Sequence, residues 1–112
     1  MRKLVIIVIL VFMLCGCNNT SNKLDINKLM QENEYIVIDV RTEQEYDDSH
    51  VAGSINIPYD QIGENINIDK DKIIFVYCMS GARSEIAFND LTNLGYTVYN
   101  LGAFSEIDLP KE

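Results

Sequence analysis

The chain has 112 residues, 17 acidic against 9 basic side chains and a net charge of -8. This length holds one small domain, and a hydrophobic content of 47% is typical of a globular protein rather than a disordered or collagen-like one. Two of the basic residues, Arg2 and Lys3, stand at the extreme N-terminus, so the remainder of the chain is more acidic still. An acidic body without a basic stripe argues against DNA or RNA as a partner.

The N-terminal segment predicts export. The two basic residues precede an unbroken apolar run over residues 4–14, which is too short for a membrane span of about 20 residues and suits the hydrophobic region of a secretory signal. Residues 14–17 (LCGC) resemble the lipobox of bacterial lipoproteins. The resemblance implies a signal peptide over residues 1–16, lipidation of Cys17 and a polar tether over 17–24. We therefore expect a lipid anchor on the outer face of the bacterial cytoplasmic membrane, in the cell envelope; a plain export signal or an uncleaved anchor is the alternative.

Elements are predicted in chain order from about residue 25. Apolar, β-branched runs indicate strands, at residues 24–26, 35–40, 54–57, 73–77 and 97–101. Caps and apolar spacing indicate helices, from Asn27 to residue 32, from Thr42 with Glu45 in a capping box, at 59–66, and at 84–94 before Gly95. Strands that are apolar throughout and alternate with helices are typical of a parallel sheet covered on both faces. We predict one α/β domain over residues 25–112, with a central parallel sheet of about five strands and helices on both faces.

The chemistry is predicted in the loop after the strongest strand, where the sequence CMSGARS begins at Cys78. Cys78 is the only thiol left once the signal peptide and the lipidated cysteine are set aside, and ligands of open α/β sheets bind beyond the carboxyl ends of strands. Gly81 and its small neighbours let backbone N–H groups converge, the helix near Ser84 adds its positive dipole end, and Arg83 adds a cation. These groups favour the reactive thiolate; an inert buried cysteine beside a solvated Arg83 is the alternative.

The spacing between Cys78 and Arg83 narrows the range of reactions that this loop could catalyse. Four residues separate Cys78 from Arg83, whereas tyrosine-phosphatase loops place five between the two and so form a cradle for a tetrahedral phosphate. A shorter loop suits a single sulfur atom or a small sulfur oxyanion. A small cysteine-dependent phosphatase or arsenate-reductase-like enzyme is therefore the weaker interpretation.

The loop resembles the active-site loop of single-domain rhodaneses, a family of sulfurtransferases. Other motifs occur in the family's order, namely IDVR from residue 38, HVAGSINIP from residue 50 and GYTVYNL from residue 95. The resemblance spans about residues 25–105 and implies a rhodanese-like fold. It also implies that the Cys78 thiolate takes the outer sulfur of a small anionic donor such as thiosulfate, releases sulfite and holds the sulfur as a persulfide. A thiophilic acceptor, such as cyanide, a small thiol or a cysteine of a partner protein, then takes it up.

The same resemblance assigns the remaining site residues. Substrate contacts are expected from the loop that follows the cysteine, at Met79, Ser80, Gly81, Ala82, Arg83 and Ser84. Their amides would cradle the persulfide and Arg83 would position an anionic donor, with no metal ion and no organic cofactor required. A non-catalytic module of the same fold that binds or senses sulfur is the second alternative, although such modules typically lose the cysteine.

Three further residues are expected to support the site rather than to react. Asp39 and Arg41 end a strand close to the loop, and we expect them to form a polar network with Glu43 or Glu45. His50, the one histidine of the chain, lies in a motif that fixes a turn, so a structural role is favoured over that of a base.

The main departures from the family lie at the entrance to the site. Gly102, Ala103 and Phe104 stand where two glycines and a later tryptophan are common, and Met79 places an apolar side chain beside the thiol where many relatives carry a charge. These departures affect the expected preference for donor and acceptor more than the activity, and Met79 is expected to weaken the attraction for thiosulfate.

Overall fold

The computed structural model describes residues 25–112. The predicted signal peptide (1–16), the lipidated Cys17 and the rest of the tether to residue 24 lie outside the described residues. Within residues 25–112, no helix combines the length and apolar character needed to cross a membrane.

The centre of the domain is a parallel sheet with the strand order β2-β1-β3-β4. The strands are β1 (Tyr35–Asp39), β2 (Ile55–Asn56), β3 (Ile73–Cys78) and β4 (Thr97–Ala103). Strand β3 lies between β1 and β4 and is buried at every position, as its unbroken apolar sequence predicts. The predicted α/β class and parallel sheet are confirmed.

The sheet of the described residues has four strands rather than about five, because the described part of the first predicted strand, residues 25–26, forms the start of a helix. Helix α1 (Ile26–Glu32) begins after Asp25, whose side chain accepts a hydrogen bond from the Lys28 amide (3.1 Å). The cap is therefore Asp25 and not Asn27. A carboxylate that satisfies a free amide of the first turn outweighs the weak strand preference of three residues.

Helices cover both faces of the sheet, as predicted. The others are α2 (Glu43–Asp48), α3 (Ile62–Asn65) and α4 (Ala82–Asn93), with short 3-10 turns at Tyr59–Gln61 and Phe104–Glu106. On one face, residues of α3 and α4 pack against the central strands, in a core of Ile38, Val40, Ile62, Ile74, Val76, Cys78, Ala87, Leu91 and Val98. On the other, α1 and the C-terminal segment pack around Val37, Val51, Ile73, Phe75, Tyr77 and Ile107. Both layers bury apolar surface, which is the main stabilising contribution.

Two local features place the loop after β3. The register between β3 and β4 shifts at Val76 and Tyr77, so that Tyr77 lies opposite Gly102 and Cys78 opposite Ala103. Gly81 precedes α4 with a φ of +102°, a left-handed conformation that favours glycine. A Cβ atom at Gly81 would lie 3.7 Å from the Cα of Gly102. The irregular end of β4 thus supports the turn that brings the loop back into a helix.

Candidate active site

Cys78 ends the central strand β3 and has no exposed surface. Its Sγ accepts hydrogen bonds from the backbone N–H of Gly81 (2.9 Å) and of Ser84 (3.3 Å). Both donors belong to the turn into α4, so the first turn of that helix directs free amides at the sulfur. The sulfur therefore lies in a buried cradle of backbone donors.

These hydrogen bonds control the ionisation of the thiol. Burial raises the pKa of Cys78, but the Ser84 hydroxyl and the amides of Ser84, Gly81 and Ser80 lower it by more, so the net pKa is lowered. The Ser84 hydroxyl is itself fully buried and also lies 3.0 Å from the Gly81 carbonyl oxygen, to which it can donate. The cradle thus stabilises an anionic sulfur, the form that acts as a nucleophile.

Arg83 does not present a free guanidinium to the loop, because Glu45 binds it in a fork. Nη1 donates to Oε1 of Glu45 (3.0 Å) and Nη2 donates to Oε2 (3.3 Å). Glu45 is also held by Thr42, whose amide (3.0 Å) and hydroxyl (3.1 Å) donate to Oε1. The predicted capping box of α2 is thus present and fixes the carboxylate that pairs with the loop arginine.

Asp39 and Arg41 form a separate, buried pair. The Arg41 Nη2 donates to Asp39 Oδ2 at 2.6 Å, and Nε contacts both carboxylate oxygens at 2.9 Å. The Tyr77 hydroxyl donates to Asp39 (2.9 Å) and accepts from the Val51 amide (3.0 Å). The predicted polar network exists, but its hydrogen-bonded partners are Tyr77 and the Ser49 carbonyl oxygen. Glu45 accepts hydrogen bonds from Arg83 instead.

His50 lies where the C-terminal segment meets the turn before β2. Its backbone N–H and carbonyl oxygen exchange hydrogen bonds with Glu112 (2.8 Å each). The ring stacks on Tyr46 at a centroid distance of 3.8 Å, and Nδ1 lies 2.8 Å from the Tyr46 carbonyl oxygen. These contacts fasten the C-terminal segment to the turn before β2, which fits the expected structural role.

The segment after Leu101, whose sequence departs from that of the family, packs on the buried pair of Asp39 and Arg41. The Phe104 ring stacks on Tyr77 at 5.7 Å and lies 4.3 Å from Cζ of Arg41. Met79, by contrast, is 45% exposed beside the buried thiol. Phe104 thus belongs to the support of the site, and Met79 contributes an apolar, uncharged side chain at its surface.

The arrangement matches a known family along nearly its whole described length. Residues 23–108 match the family described as the rhodanese-like domain. The chain belongs to this family. It is 41% identical over 78 residues to the thiosulfate sulfurtransferase PspE of Escherichia coli (strain K12), which covers 66% of this chain and 75% of that protein.

This rhodanese-like chain is also similar to solved structures and to parts of longer proteins. A structure described as a rhodanese with anions from E. coli superimposes with a TM-score of 0.66 at 38% identity, over 70% of this chain and 96% of that one. A tRNA sulfurtransferase of Thermoplasma acidophilum is 36% identical over 73 residues, which are 64% of this chain but only 14% of that protein. The same domain thus occurs alone and as a small part of larger proteins.

Sequence reasoning missed two residues that organise the rhodanese loop. Tyr77 is fully buried and joins the Asp39 network; a tyrosine in an otherwise apolar central strand is a signal, because a buried hydroxyl needs a partner. Asn100 accepts from the Gly102 amide (2.9 Å) and donates to Glu85 of α4 (3.1 Å). An asparagine two residues before a glycine near the end of a strand was the available signal for that second position.

Proposed function

We propose that this chain is a sulfurtransferase that carries sulfane sulfur as a persulfide on Cys78. The observation that carries the proposal is the buried cradle around Cys78 Sγ, in which two backbone amides donate at 2.9 and 3.3 Å and lower its pKa. The name of the relative in Escherichia coli, a thiosulfate sulfurtransferase, supports the same reaction.

The cradle fits both steps of such a cycle. In the first, the Cys78 thiolate attacks the outer sulfur of a donor such as thiosulfate; a new S–S bond forms, the old S–S bond breaks, and sulfite leaves with the bonding electron pair. In the second, cyanide or a thiolate attacks the outer sulfur of the persulfide and regenerates the Cys78 thiolate, releasing thiocyanate or a new persulfide. Amides of the 79–84 loop would stabilise negative charge on sulfur throughout.

A phosphatase role is disfavoured by the pairing of Arg83. Recognition of a phosphate by an arginine uses two parallel N–H donors of the guanidinium, and in this chain Glu45 accepts from both Nη1 and Nη2. A substrate phosphate would meet a guanidinium whose two terminal nitrogens already donate to a carboxylate that the capping box of Thr42 also holds.

The proposal is tested by intact mass spectrometry of the full-length chain with C15A and C17A, so that Cys78 is its only cysteine. After incubation with thiosulfate we expect a mass increase of one sulfur, reversal by cyanide, and thiocyanate in equal amount. The same protein with the further change C78A is the control and should gain nothing. A chain that gains no sulfur from thiosulfate or from polysulfide is not a sulfurtransferase, and the sulfur-binding or sensing module then becomes the better description.

We also propose that residues 1–16 are a signal peptide and that Cys17 is lipidated, which anchors the domain to the outer face of the bacterial cytoplasmic membrane. The support is the sequence alone: basic residues, an apolar run and LCGC over residues 14–17. Feeding cells a labelled fatty acid should label the wild-type chain and leave C17A unlabelled. Equal labelling of both, or a soluble wild-type chain of unprocessed mass, would overturn the anchor.

A further inference from the structure

We infer that Glu45 sets the charge of the sulfur donor, so that the site disfavours the thiosulfate dianion and favours organic persulfides of net charge near zero. This inference rests on the proposed function and names its substrate class. With such a donor, the Cys78 thiolate attacks the terminal sulfur of R–S–SH; the S–S bond of the donor breaks and R–S⁻ leaves, so that atoms and electrons balance as with thiosulfate.

The first support is that the loop's cation is already neutralised. Both terminal nitrogens of Arg83 donate to Glu45, at 3.0 and 3.3 Å, and the carboxylate is fixed from behind by the amide and hydroxyl of Thr42. The hydrogen bonds from Arg83 lower the pKa of Glu45 to about 2, so the carboxylate stays charged at any pH near neutrality. An incoming anion therefore meets a salt bridge rather than a free guanidinium.

The second support is the remaining charge near the loop. In the part of the chain that the structure describes, Arg41 is the one other arginine, and Asp39 binds it in a buried pair. The helix that carries Glu45 adds further carboxylates, at Glu43, Asp47 and Asp48, and has no basic residue in its last turn. Neither arginine of the described residues is therefore free of a carboxylate, and the hydrogen-bond donors on Cys78 Sγ are backbone amides of the turn into α4.

The third support is the apolar surface beside the thiol. Met79 follows Cys78 directly and is 45% exposed, while Cys78 has no exposed surface. A doubly charged donor would have to shed its water to pass an apolar side chain, without a cation to compensate for the loss. A persulfide on a small ammonium-bearing carrier meets the acidic surroundings with the opposite sign of charge.

The test compares Glu45→Gln with Glu43→Gln, both in the full-length chain with C15A and C17A. Gln at position 45 keeps the side-chain length and can still accept from Thr42 and Arg83, but it frees the charge of Arg83. Glu43 lies in the same helical turn, is exposed and changes the net charge equally, so it is the matched control. Thermal unfolding of both variants verifies that they fold.

The first readout needs no sulfur transfer. Rates of Cys78 modification by aminoethyl (cationic) and sulfonatoethyl (anionic) methanethiosulfonate, each divided by the rate with free 2-mercaptoethanol, report the local potential. We expect the wild type to prefer the cation, and E45Q to reduce this preference about fivefold against less than about twofold for E43Q. No preference in the wild type, or equal shifts in both variants, would overturn the inference.

The second readout is kcat/KM with thiosulfate and with cysteamine persulfide. E45Q should raise the thiosulfate value about fivefold and leave the persulfide value within about twofold, with E43Q close to wild type. A lower thiosulfate value in folded E45Q would contradict the inference. If the chain takes up sulfur from neither donor, the proposed function is refuted. The inference about Glu45 is still tested in that case, because the modification rates measure the charge around Cys78. Reagents and donors that never reach Cys78 would refute both.

Discussion

The domain contains two arginine–carboxylate pairs that look alike in the sequence and differ in the fold. Arg41 and Asp39 lie 2.6 Å apart with side chains 2% and 0% exposed, whereas Arg83 and Glu45 lie 3.0 Å apart at 29% and 28% exposure. The first pair joins residues two apart at the end of β1, and the second joins α2 to the start of α4. The first is enclosed by the rings of Tyr77 and Phe104.

The difference shows how burial changes the role of one chemical motif. A buried pair holds its surroundings together, since removing one partner leaves an uncompensated charge without water. A half-exposed pair contributes little to stability, because water and salt screen it, but beside a nucleophile it controls which charges can approach. The inner pair, Arg41 with Asp39, is thus structural support, and the outer pair, Arg83 with Glu45, belongs to the chemistry of Cys78.

The largest expected effect comes from breaking the inner pair. Arg41→Met keeps an apolar stem against Phe104 but leaves the Asp39 carboxylate without its cation, so the free energy of unfolding should fall by about 3–5 kcal/mol. Urea unfolding followed by circular dichroism measures it. Adding Asp39→Asn should recover a large part of the loss, because no buried charge is then left unpaired. A single variant within about 1 kcal/mol of the wild type would show that the inner pair is not structural support.

Breaking the outer pair should lower the free energy of unfolding much less than breaking the inner pair does. It should instead lower the reactivity of Cys78. Arg83→Met is expected to lower the free energy of unfolding by only about 0–1 kcal/mol. It leaves Glu45 unpaired near the sulfur, and because a carboxylate disfavours a neighbouring thiolate, the pKa of Cys78 should rise. Urea unfolding and the pH dependence of Cys78 alkylation measure the two effects. Severe destabilisation with an unchanged thiol pKa would reverse the roles assigned to the pairs.

Acid should weaken the contribution of the outer pair, Arg83 with Glu45, to stability. Glu45 has a pKa of about 2 in the fold against an ordinary 4.5, so its contribution to stability is present above about pH 4.5 and is lost as the pH falls towards 2. The difference in unfolding free energy between wild type and E45Q should therefore be constant above that window and shrink below it. A difference that grows with acidification would contradict the cause assigned to the lowered pKa.

The smallest effect concerns a single hydroxyl of the cradle. Ser84→Ala removes a fully buried hydroxyl that lowers the pKa of Cys78, so that pKa should rise and alkylation at neutral pH should slow by about two- to threefold. Above the thiol pKa, wild-type and variant rates should converge. A variant slowed equally at every pH would point to a change of access instead of ionisation.

The sequence predicted most elements for reasons that are local. Thr42 and Glu45 form the capping box at the expected spacing, and the apolar runs became the central strands. The error at residues 25–26 is also local, because so short a run carries little information against one strong cap at Asp25. The left-handed φ of +100° at Gly95, just past α4, likewise follows from glycine alone.

The pairing of charges could not be predicted in the same way. Asp39, Arg41, Glu43, Glu45 and Arg83 offer several combinations of opposite sign, and proximity in the chain does not choose between them. The choice depends on how α2 lies beside the loop after β3, which is a tertiary property. Tyr77 filled a place in the inner network that sequence reasoning gave to a glutamate, because an aromatic ring from β3 reaches Asp39.

Backbone amides of the turn into α4 lower the pKa of Cys78 and so favour its thiolate. The most direct measurement is the rate of Cys78 alkylation by iodoacetamide as a function of pH, in the folded full-length chain with C15A and C17A and in the same chain unfolded in urea. We expect a midpoint for the folded chain below the ordinary thiol pKa of about 8.5, with the unfolded chain near that value. A folded midpoint at or above that of the unfolded chain would show instead that burial outweighs the amides and that the loop does not activate the thiol.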